Sequence, residues 1–374
     1  MKQFSPSGTS QNLAAWLSLT AVVCLLGWVE LTRPFGLDFS DLTAGLITLD
    51  TMIRVAILTI VLVGLNLLMG YAGQVSLGHA AFYGFGAYAS AILTVRAGNL
   101  FGVPEYLLKS WWWSWLVLLL GTVLAGGLAY LIGRPILRLR GHYLAMATLG
   151  LGIMFFILFR ENMGFQGQNI TGGSDGIAGI ARLRIGGFEI WPIGRYYFFV
   201  WIAALGAIAF GLNLIDSRTG RALRAIHGSE VAAQAMGIDV SAYKARIFAV
   251  SAILASLAGS LYAHYQVAVS PAPFSFIGSL ELVVMSAVGG LSSIWGAPFG
   301  VAVILIMREI LRSRLRLVFQ GASGEHEIIF YGLILTLIMI FMPEGITTGV
   351  SNRWRNWIRH RRARREVAAR SQAG

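Results

Sequence analysis

Long apolar segments recur along almost the whole chain, and they restrict the folds that it can adopt. A helix needs roughly 20 apolar residues to cross the hydrocarbon core of a bilayer. About ten segments approach this length, so the sequence predicts an all-α polytopic membrane protein with about ten transmembrane helices. These segments lie near residues 12–31, 51–70, 77–95, 112–132, 143–160, 196–215, 247–268, 279–295, 297–311 and 328–342.

The composition favours a membrane protein over a soluble one. Charged residues make up 12% of the chain and the mean hydropathy is +0.69, whereas about a quarter of the residues in a typical soluble domain are charged. The 45 glycines also fit, because membrane helices approach one another closely through small side chains. Segment 247–268 carries two faces of small residues, so we expect this helix to be packed on two sides. The faces are Ala252, Ser256 and Ser260, and Ala255, Gly259 and Ala263.

The net charge of +12 comes largely from a basic tail. Eight of the 29 lysine and arginine residues lie between Arg353 and Arg370, directly after the last apolar segment. Basic residues beside a span are typical of the cytoplasmic side, where they also contact anionic lipid heads. The charge therefore predicts a lipid bilayer, and not a nucleic acid, as the partner. We divide the chain into a transmembrane domain, residues 1–350, and a basic cytoplasmic tail, residues 351–374.

The distribution of basic residues between the loops predicts that both termini are cytoplasmic. The polar loop 216–246 then lies inside, and the long loop 161–195 lies outside. Arg312, Arg314 and Arg316 break the rule in this orientation. Either the two segments before them form a re-entrant pair or the rule fails locally.

The loop 216–246 is the longest polar interval between apolar segments in the second half of the chain. Ser229 is a suitable helix cap, Glu230 suits the positive start of a helix, and Gly237 provides a left-handed stop. These residues predict a short helix of about two turns that presents an apolar face to water. Such a face either binds a partner or folds back on the chain's own bundle. It consists of Val231, Ala235 and Ile238.

The stretch from Gly64 to Tyr88 interrupts apolar sequence with glycines and polar residues. Irregular backbone at membrane depth is tolerated where protein or a water-filled cavity satisfies its polar groups. The pattern predicts a broken or re-entrant element near Gly70–Gly78 that lines a transport pathway. The alternative is a tight loop between ordinary helices, with a structural histidine. The candidate pathway residues are Asn66, Gln74, Ser76 and His79.

Ionisable residues close to the predicted spans are candidates for a substrate or ion site, because charge in hydrocarbon is costly and usually functional. Glu281 stands out, although it lies close to the predicted outer end of its span. Long side chains at span ends generally reach the interface. We expect this of Glu30, Arg54, Arg308 and Glu309.

The sequence shows no motif for catalysis or metal binding. A phosphate-binding P-loop needs a lysine after its last glycine, and the glycine-rich stretch Thr171–Ile177 has none. The only lysines, Lys2, Lys109 and Lys244, do not follow a glycine. The six histidines are scattered, and a single cysteine, Cys24, permits no intramolecular disulfide. We therefore expect no catalytic residue, metal or cofactor.

Two classes of transport function remain open. The membrane subunit of a pump driven by a separate ATPase needs a cytoplasmic docking helix and no buried proton relay. A self-sufficient transporter or channel needs ion ligands within the membrane or a symmetric pore. The polar loop 216–246 and the shortage of central carboxylates favour the first class.

Several stretches together resemble the permease subunit of branched-chain amino acid ABC importers of the LivM type. The resemblance covers roughly residues 52–345. It implies a complex of this chain with a second, homologous permease subunit, two ATP-binding cassette subunits and a periplasmic substrate-binding protein in the bacterial cytoplasmic membrane. The stretches are GLNLLMGYAGQVSLGHAAFYGFGAY, TGGSDGI, the run from Leu223 to Tyr265, SPAPFSF and VGGLSSIWGAP.

The resemblance also implies roles for individual residues. The short helix would be the ATPase-coupling element, although Val231 stands where the family motif has glutamate. The outer glycine-rich loop would help to dock the binding protein. Related permeases transport urea, short amides or other amino acids, which are alternative substrates. The coupling residues are Glu230, Val231, Ala232, Ala233, Met236 and Gly237, and the docking residues are Gly172, Gly173 and Asp175.

Overall fold

The computed structural model describes residues 9–32, 48–139, 141–161, 169–191 and 193–318, with isolated positions from 332 to 345. These ranges are mostly helical, and every predicted apolar segment within them coincides with a helix. The predicted segment 328–342 lies almost entirely outside the described residues. The basic tail and the side chain of Glu30 lie outside them as well.

The described part of the chain up to residue 160 contains seven α-helices. Helix α2 continues as a π-helix, Asn66–Tyr71, and α3 continues as a second π-helix, Ile92–Arg96. The helices are α1 (Thr9–Thr32), α2 (Leu49–Leu65), α3 (Ala80–Ala91), α4 (Ala97–Phe101), α5 (Glu105–Leu108), α6 (Trp111–Ile136) and α7 (His142–Arg160).

The part after residue 160 begins with a loop that carries three two-residue strands, which the all-helical prediction did not include. Strands β1 and β4 pair antiparallel, and so do β2 and β3. The elements are β1 (Ile177–Ala178), β2 (Arg184–Ile185), β3 (Phe188–Glu189), α8 (Ile193–Asp216), α9 (Arg218–Gly228), α10 (Glu230–Ala235), α11 (Val240–Gln266), β4 (Ala268–Val269), α12 (Phe276–Gly289) and α13 (Gly296–Val318).

Five helices among the described residues are long and apolar enough to cross a bilayer. They are α2 with its π-helical extension, α6, α7, α8 and α11. The apolar part of α1, Trp16–Gly27, and helix α12 are shorter. The structure is therefore that of a polytopic membrane protein. Of the ten predicted segments, nine lie in these ranges, and length and composition support five of them as spans.

The bundle has two distinguishable ends, which we call the α9 end and the strand end. At the strand end, the Tyr265 hydroxyl near the end of α11 donates to Asp50 Oδ1 in the first turn of α2. At the α9 end, Gly73 lies against the His227 ring of α9. Helices α2 and α11 therefore run antiparallel through the bundle between its two ends.

Helix α11 occupies the centre of the bundle and packs against α2, α3 and α6. Both of its predicted faces of small residues are buried, which confirms the expectation of packing on two sides. Towards α3, Ser260 shares a hydrogen bond with Ser90. Towards α6, Ser256 Oγ donates to the carbonyl oxygen of Gly121 at 3.2 Å. A Cβ at Gly259 would lie 1.9 Å from the Tyr83 carbonyl oxygen, so only glycine permits this approach.

Helices α12 and α13 form an antiparallel pair that opens towards the strand end. The turn between them contacts the π-helical end of α2, where Asn66 Nδ2 donates to Ser293 O and the Tyr71 hydroxyl donates to Ser292 O, both at 2.9 Å. Nearer the strand end, Arg308 of α13 pairs with Glu281 of α12. The last turns of α13, whose sequence includes the three exceptional arginines, extend towards the strand end.

Candidate functional site

The predicted short helix is present as α10, and its boundaries have the predicted local causes. Ser229 Oγ accepts a hydrogen bond from the Ala232 amide at 3.3 Å and so caps the helix start. Gly237, just beyond the helix, has φ +80°, which a residue with a side chain rarely adopts. The cap and the stop are thus confirmed.

Helix α10 has one face on the chain itself and one face open. Ala233 is fully buried in a small cluster with Ile226 of α9 and Val240 of α11, and Ile238 packs against that cluster. The rest of the helix surface is exposed and mostly apolar, with one exposed polar residue, Gln234. Val231 is 70% exposed and Met236 is 69% exposed, and Ala232 and Ala235 lie between them. The helix therefore folds back on its own chain and still presents an apolar surface, so both sequence-based alternatives describe part of it.

Two contacts connect this helical unit to the interior of the bundle. Glu230 Oε1 of α10 accepts from Lys244 Nζ in the second turn of α11, and Lys244 is buried. His227 of α9 lies against Gly73, where the irregular segment between α2 and α3 begins. A displacement of α9 and α10 would therefore act directly on α11 and on that irregular segment.

The predicted interruption lies at residues 72–79, between the π-helical end of α2 and the start of α3. The segment runs from the α9 end into the bundle, because Gly73 meets His227 whereas His79 Nε2 lies 3.1 Å from Ser251 Oγ in the middle of α11. It is thus an irregular connection of eight residues that is mostly buried, although Gly73 and Val75 are exposed.

The four candidate pathway residues are all buried, but they do not form one cluster. Asn66 bonds to Ser293 and accepts from the Ser286 hydroxyl, which ties α2 to the α12–α13 pair. His79 bonds to α11. Gln74 is 2% exposed, and no described residue hydrogen-bonds its side-chain amide. Burying such a group without a partner costs about 1–3 kcal/mol in proteins. Water in a pathway would serve Gln74, both of whose polar atoms lack a described partner, and to a smaller extent His79, whose Nδ1 lacks one.

The glycine-rich loop forms a fixed turn at the strand end. Gly172 and Gly173 have positive φ angles, and Asn169 Oδ1 accepts from the Gly172 amide at 2.8 Å. Gly176 packs so closely on β4 that a Cβ there would lie 1.9 Å from the Val269 carbonyl oxygen. Asp175 is exposed at the tip. The glycines thus hold the turn, and Asp175 is the charged side chain that the loop offers to solvent, beside the exposed Ser174.

A cavity of about 620 Å³ opens in the strand-end half of the bundle, between α2, α7, α11, α12 and α13. Its lining includes three charged side chains, Arg54, Glu281 and Arg308. Arg54 pairs with Asp50 at 2.8 Å, and Arg308 pairs with Glu281. None of the four candidate pathway residues lines this cavity.

The sequence predicted that Arg54 and Arg308 reach the membrane interface, and it singled out Glu281 as a possible substrate or ion site. The structure instead places all three around one cavity. They belong to three different helices, and Arg54 and Glu281 are more than two hundred residues apart in the sequence. The sequence does show an apolar residue one helical turn away from each charged residue, towards the middle of its helix. This pattern does not reveal which helices pack together.

The comparisons with known proteins agree with this architecture. Residues 47–343 match the family described as the permease component of the branched-chain amino acid transport system. The chain belongs to this family. This permease is therefore a multi-pass membrane protein of an ABC transporter family and not an enzyme, as predicted.

The relatives of this permease include permease proteins of two types, LivM and LivH. LivM of Escherichia coli, a high-affinity branched-chain amino acid transport permease, is 29% identical over 322 residues, which cover 80% of this chain and 69% of LivM. LivH of Salmonella typhimurium is 24% identical over 306 residues, which cover 77% of this chain and 90% of LivH. No solved structure matches this permease. Membership of an ABC transport system implies ATPase and binding-protein partners.

Proposed function

We propose that this chain is one of two homologous permease subunits of an ATP-driven importer for branched-chain or related amino acids. A periplasmic binding protein delivers the substrate, and two ATP-binding cassette subunits drive the permeases between outward- and inward-open states. The observation that carries the proposal is the exposed apolar face of α10 on a chain of this permease family. A surface of this kind fits a groove on a partner subunit.

The coupling proposal rests on how α10 is connected. Its buried face fixes it to α9 and α11, and the Glu230–Lys244 pair joins it to the central helix. An ATPase subunit that binds the open face could therefore move α11, which packs against α2, α3 and α6. The predicted site residues Val231, Ala232 and Met236 make the proposed contact, whereas Ala233 supports the helix from behind.

The test of this function is uptake by the complete importer in proteoliposomes. We expect uptake of leucine, isoleucine or valine that requires both ATP and the binding protein. Urea and short amides are the alternative substrates, and their uptake in place of amino acids would redirect the proposal. Uptake by the permease alone, without ATP, would instead show a self-sufficient transporter.

The orientation proposal places the α9 end and the tail in the cytoplasm and the strand end in the periplasm. Seventeen arginines and lysines support it, against 12 elsewhere: Lys2, three at the end of α6 and in the loop after it, five in α9 and at the start of α11, and eight in the tail. About ten spans are proposed for the full chain, including the segments that are short or lie outside the described ranges.

Cysteine labelling tests this orientation with a matched pair of sites. After replacement of Cys24, a cysteine at Phe188, which is 76% exposed at the strand end, should react with an impermeant maleimide in intact cells whose outer membrane is permeabilised. In cells that lack the ATPase subunits, so that the proposed docking face is uncovered, a cysteine at Met236, which is 69% exposed, and one at Ala363 in the tail should react only in inverted vesicles. The reverse pattern would overturn the orientation.

The glycine-rich loop is proposed to help dock the binding protein, with Asp175 as the contact. The substitution Asp175→Arg should lower the affinity for the binding protein about tenfold, which is about 1.4 kcal/mol. Surface plasmon resonance on the complex in nanodiscs would measure it. The control is Glu105→Arg, which reverses another exposed charge at the same end, in the short helix α5, where Glu105 pairs with Lys109. Equal affinities for wild type and Asp175→Arg would reduce the loop to a structural turn.

A further inference from the structure

We propose that the strand-end cavity is a transit site for a zwitterionic amino acid with an apolar side chain. This inference rests on the proposed function and names where within the permease the substrate pauses. The cavity volume of about 620 Å³ falls in the range of roughly 300–1,000 Å³ that is usual for small-molecule sites.

The charges and the apolar groups of the cavity are separated by depth. Helix α2 enters from the strand end, so Ile57 and Leu58 lie one turn deeper than Arg54. Helix α12 also runs inward, so Leu282 and Met285 lie deeper than Glu281. Helix α13 runs outward, so Leu305 lies deeper than Arg308. Each of the three helices thus places a charged side chain nearer the mouth than its own deeper apolar side chains, and Ile277 of α12, which is 73% exposed, adds an apolar group to the rim.

The mouth carries both signs of charge. The guanidinium group of Arg308 suits a carboxylate, which arginine binds with paired hydrogen bonds. Arg54, which pairs with Asp50 at 2.8 Å, adds positive charge to the same mouth. The Glu281 carboxylate suits an ammonium group. Glu281 and Arg308 are 23% and 41% exposed, so a ligand can reach both. A zwitterion that inserts between them replaces one ion pair with two and leaves no charge unpaired.

This arrangement discriminates against ligands that have only one of the two charges. A carboxylate alone would leave Glu281 without its partner, and an amine alone would leave Arg308 without one of its partners in a partly desolvated site. Leaving such a charge unpaired in a partly buried site is strongly unfavourable. An uncharged amide would have to compete with an intact ion pair. The apolar floor, with Leu58, Leu282 and Leu305, adds a preference for an aliphatic side chain.

Protection from alkylation tests the site directly on the assembled importer in detergent, without the binding protein. In a background in which Cys24 is replaced by serine, Leu58→Cys places one thiol on the cavity wall. Leucine should slow its alkylation about tenfold when about nine-tenths of the sites are occupied. The analogues 4-methylpentanoate, which lacks the amine, and 3-methylbutylamine, which lacks the carboxylate, should not protect at the same concentration.

A double variant then tests the two charges without stranding either of them. Glu281→Gln together with Arg308→Gln should abolish protection by leucine and reduce uptake at least about tenfold while the complex still assembles. The matched control is Glu309→Gln, a neighbouring carboxylate that does not line the cavity. Equal protection by leucine and by the two analogues, or full protection in the double variant, would overturn the transit site.

Three further results distinguish failure of the transit site from failure of the proposed function. If the importer takes up amino acids but leucine does not protect Leu58→Cys from alkylation, the transit site is wrong and the proposed function is unaffected. Absence of amino-acid uptake in the wild type would sink the proposed function itself. Loss of the second permease subunit from the purified double variant would show that the Glu281–Arg308 pair belongs to a subunit interface, and would likewise overturn the site.

Discussion

Replacing Gly259 with valine is expected to prevent the bundle from assembling in a stable form. Its Cβ would lie 1.9 Å from the Tyr83 carbonyl oxygen and 2.9 Å from the Ala87 amide nitrogen of α3. Both contacts are with backbone, which cannot rotate away. Overpacking a core costs about 1–3 kcal/mol and occasionally more. We expect the upper end here, because the whole of α3 must move away from the central helix.

Thermal unfolding of the purified protein in detergent, followed by size-exclusion chromatography, would measure this effect. The matched control is Gly206→Val in α8, a helical glycine that is exposed and whose added Cβ would meet no atom within 4 Å. We expect a large fall in melting temperature and in monodisperse yield for Gly259→Val and little change for Gly206→Val. Similar losses in both would show that helix propensity, and not the α3–α11 contact, determines stability.

The contrast between these two glycines shows which parts of the fold a sequence reveals. Small residues at a spacing of four predicted that α11 would be packed on two sides, because helical periodicity is a local property. The partner of each face was not predictable, since α3 and α6 are far away in the chain. The pairing of β1 with β4, which joins Ile177 to Val269, depends on the same tertiary arrangement.

The candidate site likewise has some features that the sequence predicts and others that it does not. The cap at Ser229 and the stop at Gly237 follow from local backbone chemistry, so they were predicted correctly. The inward direction of Ala233 was not predictable, because it depends on how α9 and α11 enclose the helix. The cavity at the strand end was least predictable, since three separate helices contribute one charged residue each and only their packing brings the charges together.

Replacing Val231 with arginine is expected to detach the proposed ATPase subunits while the permease remains folded. Val231 is 70% exposed, so the substitution disturbs little of the packing among the described residues. At an apolar contact it would bury a charge without a partner. The cost should be about 2 kcal/mol or more, which is roughly a thirtyfold loss of affinity. Co-purification of the subunits and substrate-stimulated ATP hydrolysis would measure it.

The control is Phe188→Arg, which places the same charge on a similarly exposed apolar side chain at the opposite end of the bundle. It should leave ATPase association unchanged. Ala233→Arg provides a second comparison, because Ala233 is buried against Ile226 and Val240. This variant should unfold α9 and α10 locally, and it should become more susceptible to proteolysis in the loop 216–246 even when the ATPase subunits are absent.

The two variants on α10 therefore separate docking from local folding. Val231→Arg should lose association and keep the protease resistance of the permease alone, whereas Ala233→Arg should lose both. Because Glu230 and Lys244 still join the helix to α11 in the Val231 variant, any loss of coupling there must arise at the exposed face. Wild-type association and full coupling in Val231→Arg would mean that the open face of α10 contacts no ATPase subunit, and that the helix serves only to close the α9 end of the bundle.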